Sequence, residues 1–333
     1  MATLASWTPG VDATAAHPAG RIAFVASDAD GGTGVHVVDA TGAHHRRVAI
    51  GTRPRWSPDG SRLAFETGLG LSVVSPDSRD EALVVPLAFD AQWSPDGTRI
   101  AHVAARPLPT VNVYYGPPFV FPGLMYELDI AVIRIADGLV TPLTAGAGTD
   151  LSPTWSPHAS RVAFSRSTFS SYPLLGWSGL ESVASAGGVP RQHVRTAWWV
   201  GTVRWAPRGS TIAFDGRVDG VTGIWTVDYD GGRGPVLLHE TAYGTEGLDW
   251  SPDGRFVGFS GGDERDDGLQ IVHVVAVDGS AHHHFSGYDV TFSPDGRQVA
   301  YCDATGLWRA SRDGTEAVRL VASDSCHQPD WGR

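Results

Sequence analysis

One phrase recurs along this chain and constrains its fold more than any other feature. It consists of an aromatic residue, a Ser-Pro-Asp-Gly turn, two further residues and a β-rich triplet, as in Trp56-SPDG-SR-LAF. Because Pro fixes φ at the second turn position and Gly accepts a positive φ, the phrase predicts a tight turn between two antiparallel strands. The copies begin at Trp56, Trp93, Trp155, Trp205, Trp250 and Phe292.

Each unit continues with a second apolar strand, a Gly-bearing turn and another strand, so about four short strands recur every 40 residues or so, as in a propeller blade. The triplet Ile22-Ala23-Phe24 lacks an aromatic half, and Asp330-Trp331 lacks a triplet. Together, the two fragments supply both halves of one further repeat. We therefore predict an all-β fold, a single seven-bladed β-propeller of four-stranded antiparallel blades, closed by the C-terminal strand pairing into the N-terminal blade.

The repeat also predicts the domain organisation. Residues 1–20 form an N-terminal lead segment, and residues 21–333 form the propeller. The expected blades are blade 1 at 21–50 plus 326–331, blade 2 at 51–88, blade 3 at 89–150, blade 4 at 151–201, blade 5 at 202–246, blade 6 at 247–288 and blade 7 at 289–325.

Charge and cysteine content narrow the functional classes. The net charge is −11, and an acidic surface repels phosphate, so we expect no nucleic-acid partner. No stretch has the length of a transmembrane helix, and the N-terminus lacks the features of a signal peptide, so we expect a cytoplasmic monomer without a membrane partner. The two cysteines, Cys302 and Cys326, do not make a disulfide framework, and we expect a reduced pair.

The W-S-P-D-G-x-x-[ILV]-A-F phrase resembles the TolB-type, WD40-like propeller repeat, from about residue 20 to 331. Similar propellers precede the hydrolase domain of prolyl-oligopeptidase-type enzymes, and seven-bladed relatives include oligogalacturonate lyases, which use a His-rich metal site. The resemblance implies the propeller fold, and fold alone does not decide function. A hydrolase is not indicated, because Gly176-Trp177-Ser178-Gly179 fails the Gly-x-Ser-x-Gly spacing of a nucleophile elbow.

Polar residues three to five positions before the repeat aromatics should surround the mouth of the central channel. In the catalytic interpretation a carboxylate acts as base, His327 as acid or base, and Arg53 holds a negative charge. The alternative is that these groups are solvated and paired with one another. The catalytic candidates are His327, Glu246, Asp150, Asp289 and Arg53, with Asp90 and Gln328 as substrate-binding candidates.

Loops of blades 3, 4 and 5 carry many aromatic residues that should emerge on the same face. They form a small satellite core, wall a pocket over the channel mouth or bind a protein partner. The substrate-binding candidates from this region are His102, Tyr114, Tyr115, Phe119, Tyr126, Phe169, Tyr172, Trp177, Trp198 and Trp199.

Two functional classes follow. The first is a propeller that binds an apolar or aromatic small molecule, such as a secondary metabolite, in an aromatic-walled pocket; its catalytic form is a lyase, isomerase or cyclase acting by acid–base chemistry. The second is a non-catalytic, TolB-like protein-interaction module. No metal or cofactor is predicted, because the sequence has no HExxH or paired-Cys spacing. The runs His44-His45 and His282-His283-His284 are expected at wet blade edges.

Overall fold

The computed structural model describes residues 20–27, 32–77, 81–107, 111–114, 120–123, 126–146, 148–168, 177–196, 198–232, 234–242, 244–262 and 270–333. These residues form short β-strands joined by turns. They contain no helix with the length and apolarity needed to span a membrane.

The first half of the described chain contains the strands β1 (Arg21–Ser27), β2 (Thr33–Asp39), β3 (Arg46–Ala49), β4 (Thr52–Trp56), β5 (Leu63–Thr67), β6 (Gly70–Val74), β7 (Glu81–Pro86), β8 (Ala88–Trp93), β9 (Arg99–Pro107), β10 (Val111–Tyr114), β11 (Val120–Gly123), β12 (Tyr126–Arg134), β13 (Val140–Pro142), β14 (Thr149–Trp155) and β15 (Arg161–Thr168).

The second half contains β16 (Trp177–Ala184), β17 (Arg191–Thr196), β18 (Val200–Trp205), β19 (Thr211–Val218), β20 (Val221–Asp228), β21 (Val236–Glu240), β22 (Glu246–Trp250), β23 (Phe256–Gly261), β24 (Ile271–Ala276), β25 (His282–Ser286), β26 (Tyr288–Phe292), β27 (Gln298–Asp303), β28 (Gly306–Ser311), β29 (Val318–Ala322) and β30 (His327–Gly332).

The described strands pair into seven four-stranded antiparallel blades, which confirms the predicted fold class. Blades 3 and 4 are joined into one sheet by a parallel bridge at Leu128 and Thr149. A separate hairpin, β10–β11, lies within the blade 3 insertion. From the channel outward, blade 1 is β30-β1-β2-β3, blade 2 is β4-β5-β6-β7, blade 3 is β8-β9-β12-β13, blade 4 is β14-β15-β16-β17, blade 5 is β18-β19-β20-β21, blade 6 is β22-β23-β24-β25 and blade 7 is β26-β27-β28-β29.

The ring closes as the two sequence fragments predict. Strand β30 pairs with β1, with Trp331 opposite Ile22, and both side chains are buried in the apolar cluster between blades 7 and 1. The same cluster contains a disulfide between Cys302 of β27 and Cys326. The expectation of a reduced pair was therefore wrong, because the ring closure brings their Cα atoms to 5.5 Å across 24 positions of sequence. Disulfides of this kind persist in oxidising compartments.

In several blades the repeat aromatic bonds the preceding blade. The indole N–H of Trp93 donates to the backbone carbonyl of Arg55 in the preceding blade at 3.0 Å, and Trp250 donates to the carbonyl of Arg204 at 2.9 Å. The triplets fill the spaces between blades, with Phe65, Phe164, Phe214 and Phe259 fully buried. Stability therefore comes from packing between adjacent blades, which makes the ring one cooperative unit.

Candidate functional site

A β-bulge interrupts the inner strand of every blade near the channel mouth, as the register shifts show. In six of the seven blades, the residue three positions before the repeat aromatic has a positive φ, which residues with a side chain rarely adopt. Such strain persists only where the surroundings enforce it, and it is concentrated at functional sites. The residues are Arg53, Asp90, Ser152, Asp289 and Gln328, with φ between 49° and 55°, and Gly247 with φ 66°.

The bulges surround a cavity of about 780 Å³ at the channel mouth. Six of the seven residues predicted for the channel mouth line it, namely Arg53, Asp90, Glu246, Asp289, His327 and Gln328. The lining is mixed, because Phe89, Leu151, Val200, Leu248 and Val290 add apolar surface beside the polar and charged side chains. The spacing from the aromatic therefore places these six residues on the cavity lining, and their role in binding or catalysis stays a prediction.

Several of these polar groups connect neighbouring blades. The Oδ2 atom of Asp289 accepts a hydrogen bond of 2.9 Å from the backbone N–H of Gln328, whose own Oε1 accepts one of 2.9 Å from Arg53 N–H. Asp90 Oδ2 in turn accepts from Ser152 N–H at 3.0 Å. The bulges free these N–H groups from the sheet ladder, and the neighbouring blade satisfies them. Asp90, Asp289 and Gln328 thus have a structural role beside any binding role.

Where the bulge residue has no acceptor to offer, a residue of the second strand supplies it. Glu66 of β5 accepts from Asp90 N–H at 2.6 Å, and Ser260 of β23 accepts from Asp289 N–H at 3.1 Å. Asp215 of β19 accepts from the backbone of Thr202. Glu66, Ser260 and Asp215 directly follow the triplets LAF, VGF and IAF. These three positions were not predicted from the sequence, although a polar residue immediately after a buried triplet is a visible signal.

His327 and Glu246 are the channel-mouth groups that are open to a ligand. The side chain of His327 is 54% exposed, and its Nδ1 lies 3.7 Å from Asp289 Oδ2. Among the residues that the structure describes, no group bonds the exposed carboxylate of Glu246. The guanidinium of Arg53 is about half-exposed, at 3.4 Å from Glu66. An imidazole, a carboxylate and a guanidinium therefore face one cavity.

Deeper in the channel, charged groups approach one another with little water around them. Burial raises the pKa of Asp215 to about 6, partly offset by hydrogen bonds from the backbones of Thr202 and Thr245. Burial also lowers the pKa of Arg204, which donates to Ser152 Oγ at 3.2 Å. A carboxyl whose pKa lies near neutrality can exchange a proton with a ligand. Asp215 is thus a further candidate residue.

Asp150 lies outside the cavity. It is 1% exposed and forms a two-pronged ion pair with Arg166 of β15, with both N–O distances at 2.7 Å. Arg166 also contacts Glu181 at 2.9 Å, and burial raises the pKa of Glu181. Asp150 is five positions before Trp155 and therefore beyond the bulge, where its side chain meets the neighbouring strand instead of the channel.

His102 also lies away from the cavity. It is fully buried on the face of β9 that carries Ile100, which packs against blade 2. Its position in the triplet is occupied by Phe in five blades and by Tyr301 in blade 7. Within the described part of the chain, neither ring nitrogen has a hydrogen-bond partner, and burial lowers the pKa of His102 to about 4.

The aromatic candidates divide into two groups. Tyr115, Phe119, Phe169 and Tyr172 lie outside the described residues, and Tyr114 ends strand β10. The described side chains line no part of the cavity. Tyr126 is 43% exposed, Trp198 is 53% exposed with the guanidinium of Arg217 at 4.2 Å, Trp177 is covered by Arg195 at 4.9 Å, and Trp199 is partly buried.

Comparison with known proteins places the fold. No family model matches the chain. It is 31% identical over 158 residues to the uncharacterized protein Atu1656 of Agrobacterium fabrum, covering 45% of this chain and 52% of that one. It is 31% identical over 117 residues to the uncharacterized protein YidR of Escherichia coli, covering 33% and 27%. The chain thus spans about half or less of the length of these relatives.

Solved structures share the architecture. TolB from Acinetobacter baumannii superposes with a TM-score of 0.57 at 16% identity, covering 94% of this chain and 66% of TolB. Oligogalacturonate lyase in complex with manganese superposes with a TM-score of 0.64 at 12% identity, covering 91% of this chain and 86% of the lyase. At these identities the likeness is one of fold, and it confirms the predicted TolB-like propeller.

Proposed function

We propose that the protein binds a small polar molecule in the channel-mouth cavity. The observation that carries this proposal is the convergence of Arg53, Glu246 and His327 on one cavity of about 780 Å³, with each side chain at least partly exposed to it. Cavities of this size suit small-molecule ligands. Charged side chains on this lining support a ligand with polar groups, and the apolar ligand predicted from the aromatic loops stays a prediction.

The charge of the lining selects among polar ligands. Six carboxylates face the cavity against three guanidiniums, and the carboxylates are Asp90, Asp215, Glu246, Asp249, Asp289 and Asp330. A surplus of negative charge in a partly enclosed site repels anions and attracts cations. We therefore infer that the ligand is neutral or cationic and carries hydroxyl or amino groups.

Acid–base chemistry is the catalytic form of this proposal. Because Nδ1 of His327 faces Asp289, the other ring nitrogen is the one available to a ligand. Asp289 lies beside the His327 ring, as a carboxylate does in other His–Asp pairs. Glu246 supplies a second proton-accepting group, as in a lyase or isomerase.

The oligogalacturonate lyase neighbour binds manganese, and the described channel residues do not fit that ion. No three His, Cys, Asp or Glu side chains of the described channel mouth bring their ligand atoms within 4.8 Å of one another. Asp90 and Asp289 already accept hydrogen bonds from backbone N–H groups. The proposed proton transfer is accordingly assigned to protein side chains alone.

A matched trio of sugars tests the charge argument. Galactosamine, galactose and galacturonate are close in size and differ in charge. Titration calorimetry should show the tightest binding for galactosamine and the weakest for galacturonate. Glu246→Gln should weaken galactosamine binding by about tenfold, or ~1.4 kcal/mol. His158→Ala changes an exposed residue of a Ser-Pro turn away from the cavity lining and should leave binding unchanged. Preference for galacturonate would contradict the proposal.

The second candidate function is a TolB-like interaction module. The exposed Trp198, held under Arg217 outside the cavity lining, favours it, because exposed aromatics with arginine are enriched at protein interfaces. Trp198→Ala separates the two functions. Unchanged galactosamine binding in this variant would assign Trp198 to a surface separate from the pocket, whereas weakened binding would make it part of the pocket wall.

A further inference from the structure

Three histidines meet at the outer rim of the propeller, far along the blades from the channel strands. His239 lies on β21, the outer strand of blade 5, while His273 and His282 lie on β24 and β25 of blade 6. Their ligand nitrogens all lie within 4.8 Å of one another. We propose that these imidazoles bind one divalent transition-metal ion of the Zn²⁺ class, which links blade 5 to blade 6.

The distances are close to those of a metal site. His273 Nδ1 and His282 Nε2 are 3.0 Å apart. Two nitrogens bound to one tetrahedral ion at about 2.0–2.1 Å are roughly 3.3 Å apart, so this pair already has the separation of two ligands. The ring of His239 lies 4.9 Å from that of His273 and 4.7 Å from that of His282, and small side-chain rotations close the remaining gap.

The surroundings hold the ligands in place and leave one side open. His273 is 7% exposed and stacks on Phe259, with ring centroids 5.0 Å apart and an interplanar angle of 10°. His282 is exposed, so an ion can enter from solvent. His284, with its ring 5.6 Å from that of His282, or water completes the coordination.

The chemistry of the donors selects the metal. The three-residue group contains imidazoles and no carboxylate, which suits Zn²⁺, Ni²⁺, Cu²⁺ or Co²⁺ better than Mg²⁺ or Ca²⁺. Because the ligands come from two blades, a bound ion stabilises their interface.

Blade 1 contains a natural comparison. His36 Nδ1 and His45 Nε2 are 3.2 Å apart, with His36 paired to Phe24 as His273 is paired to Phe259. In blade 7, the neighbour of blade 1, Val321 pairs with Leu307 at the position where His239 pairs with Ile224. Blade 1 therefore has the same pair of histidines without a third histidine at that position.

The comparison defines the test. Tag-free protein stripped with EDTA is titrated with Co²⁺, and the visible absorption of a four-coordinate complex is followed. We expect one equivalent to bind. His239→Val, which copies the arrangement next to blade 1, should weaken binding by at least about tenfold, while His45→Ala should leave it unchanged. In a thermal melt, Zn²⁺ should raise the Tm of the wild type and not that of His239→Val.

Each outcome decides the proposal. Equal Co²⁺ affinity in the wild type and His239→Val, or an equal loss in His45→Ala, overturns it, as does a wild type that binds no Co²⁺. Should His239→Val fail to fold, His282→Ala replaces it, because His282 is exposed and lies on an edge strand. These titrations use the metal alone and are independent of the channel-mouth cavity.

Discussion

Two carboxylates on strand β22 face the same cavity and play different roles. Asp249 accepts hydrogen bonds from Thr291 Oγ1 at 3.0 Å and from Phe292 N–H at 3.1 Å, both in blade 7. Glu246, three residues earlier, is exposed and has no such partner among the described residues. Lining the cavity therefore does not by itself mark a carboxylate as functional. What separates the two is whether the neighbouring blade already forms hydrogen bonds with the carboxylate.

The difference extends around the channel. Asp249, Asp289 and Gln328 join one blade to the next, so they stabilise the ring. Glu246 has no such partner among the described residues, and His327 keeps a half-exposed side chain although its Nδ1 lies 3.7 Å from Asp289, so both can meet a ligand. Removing a group of the first kind leaves a backbone N–H without its hydrogen-bond partner. Removing one of the second kind leaves a space that water fills, at little cost in stability. Stability measurements can therefore separate the two kinds.

The largest effect should come from the closing strand, which contains groups of both kinds. Removing residues 329–333 deletes the strand end that pairs with β1 and the buried Trp331. Loss of a buried Trp alone costs about 3–5 kcal/mol, which in a cooperative unit of this size should lower the Tm by about 5 °C or more. Differential scanning calorimetry measures this change.

His327→Ala is the control on the same strand. It removes a lining group and keeps the strand, so its Tm should stay within about 2 °C of the wild type. A truncated chain that melts normally would contradict closure by β30. A large fall in the Tm of His327→Ala would show that His327 belongs with the groups that join neighbouring blades.

The disulfide is the covalent counterpart of the bridging groups, since it spans blades 7 and 1 beside the Asp289–Gln328 hydrogen bond. For a loop of 24 residues, loss of the cross-link should cost roughly 3 kcal/mol. Replacing Cys302 and Cys326 together with Ser should lower the urea midpoint accordingly. Wild-type protein in reductant should approach the midpoint of the double variant, and a wild type that does not respond to reductant would argue against the bond.

Asp249→Ala and Glu246→Ala test the comparison directly, because both residues lie on β22. Asp249→Ala leaves Phe292 N–H without its acceptor and should cost about 2 kcal/mol. Glu246→Ala should stay within about 0.5 kcal/mol of the wild type, as exposed residues without partners do. Urea unfolding of both variants gives the two changes in the free energy of unfolding. Equal changes would show that the two carboxylates do not differ in structural role.

The sequence predicts the fold well because the repeat contains it. The turn, the aromatic between adjacent blades and the fragments that close the ring are all local patterns. Channel-mouth residues follow from the same spacing. Asp150 lies outside the cavity, contrary to the prediction, because the bulge changes which residues point into the channel. A count from Trp155 does not reveal where a bulge begins.

Other features depend on contacts between distant segments. The disulfide and the rim histidines His239, His273 and His282 each require two blades to meet, and no spacing within one blade encodes that contact. Asp215 was missed for a different reason. It belongs to the second strand of its blade, and only the bulge brings the inner backbone within reach of its carboxylate.

His102 is a third case, a polar residue that neither bridges blades nor lines the cavity. Because its folded-state pKa of about 4 lies below the ordinary 6.5, the unfolded chain binds more protons between these values. The stability that depends on the neutral imidazole is therefore fully present above pH 6.5 and is lost as the pH falls toward 4. Between pH 7 and 5 the free energy of unfolding should fall by about 2 kcal/mol. Phe occupies this position in five other blades, so His102→Phe should remove the loss of stability at low pH. It should also raise the free energy of unfolding at pH 7 by about 1 kcal/mol, because two buried nitrogens without hydrogen-bond partners are removed. Urea unfolding at both pH values checks this. A destabilised variant would show instead that the imidazole has a partner in the folded chain, and His102 would then join the bridging groups.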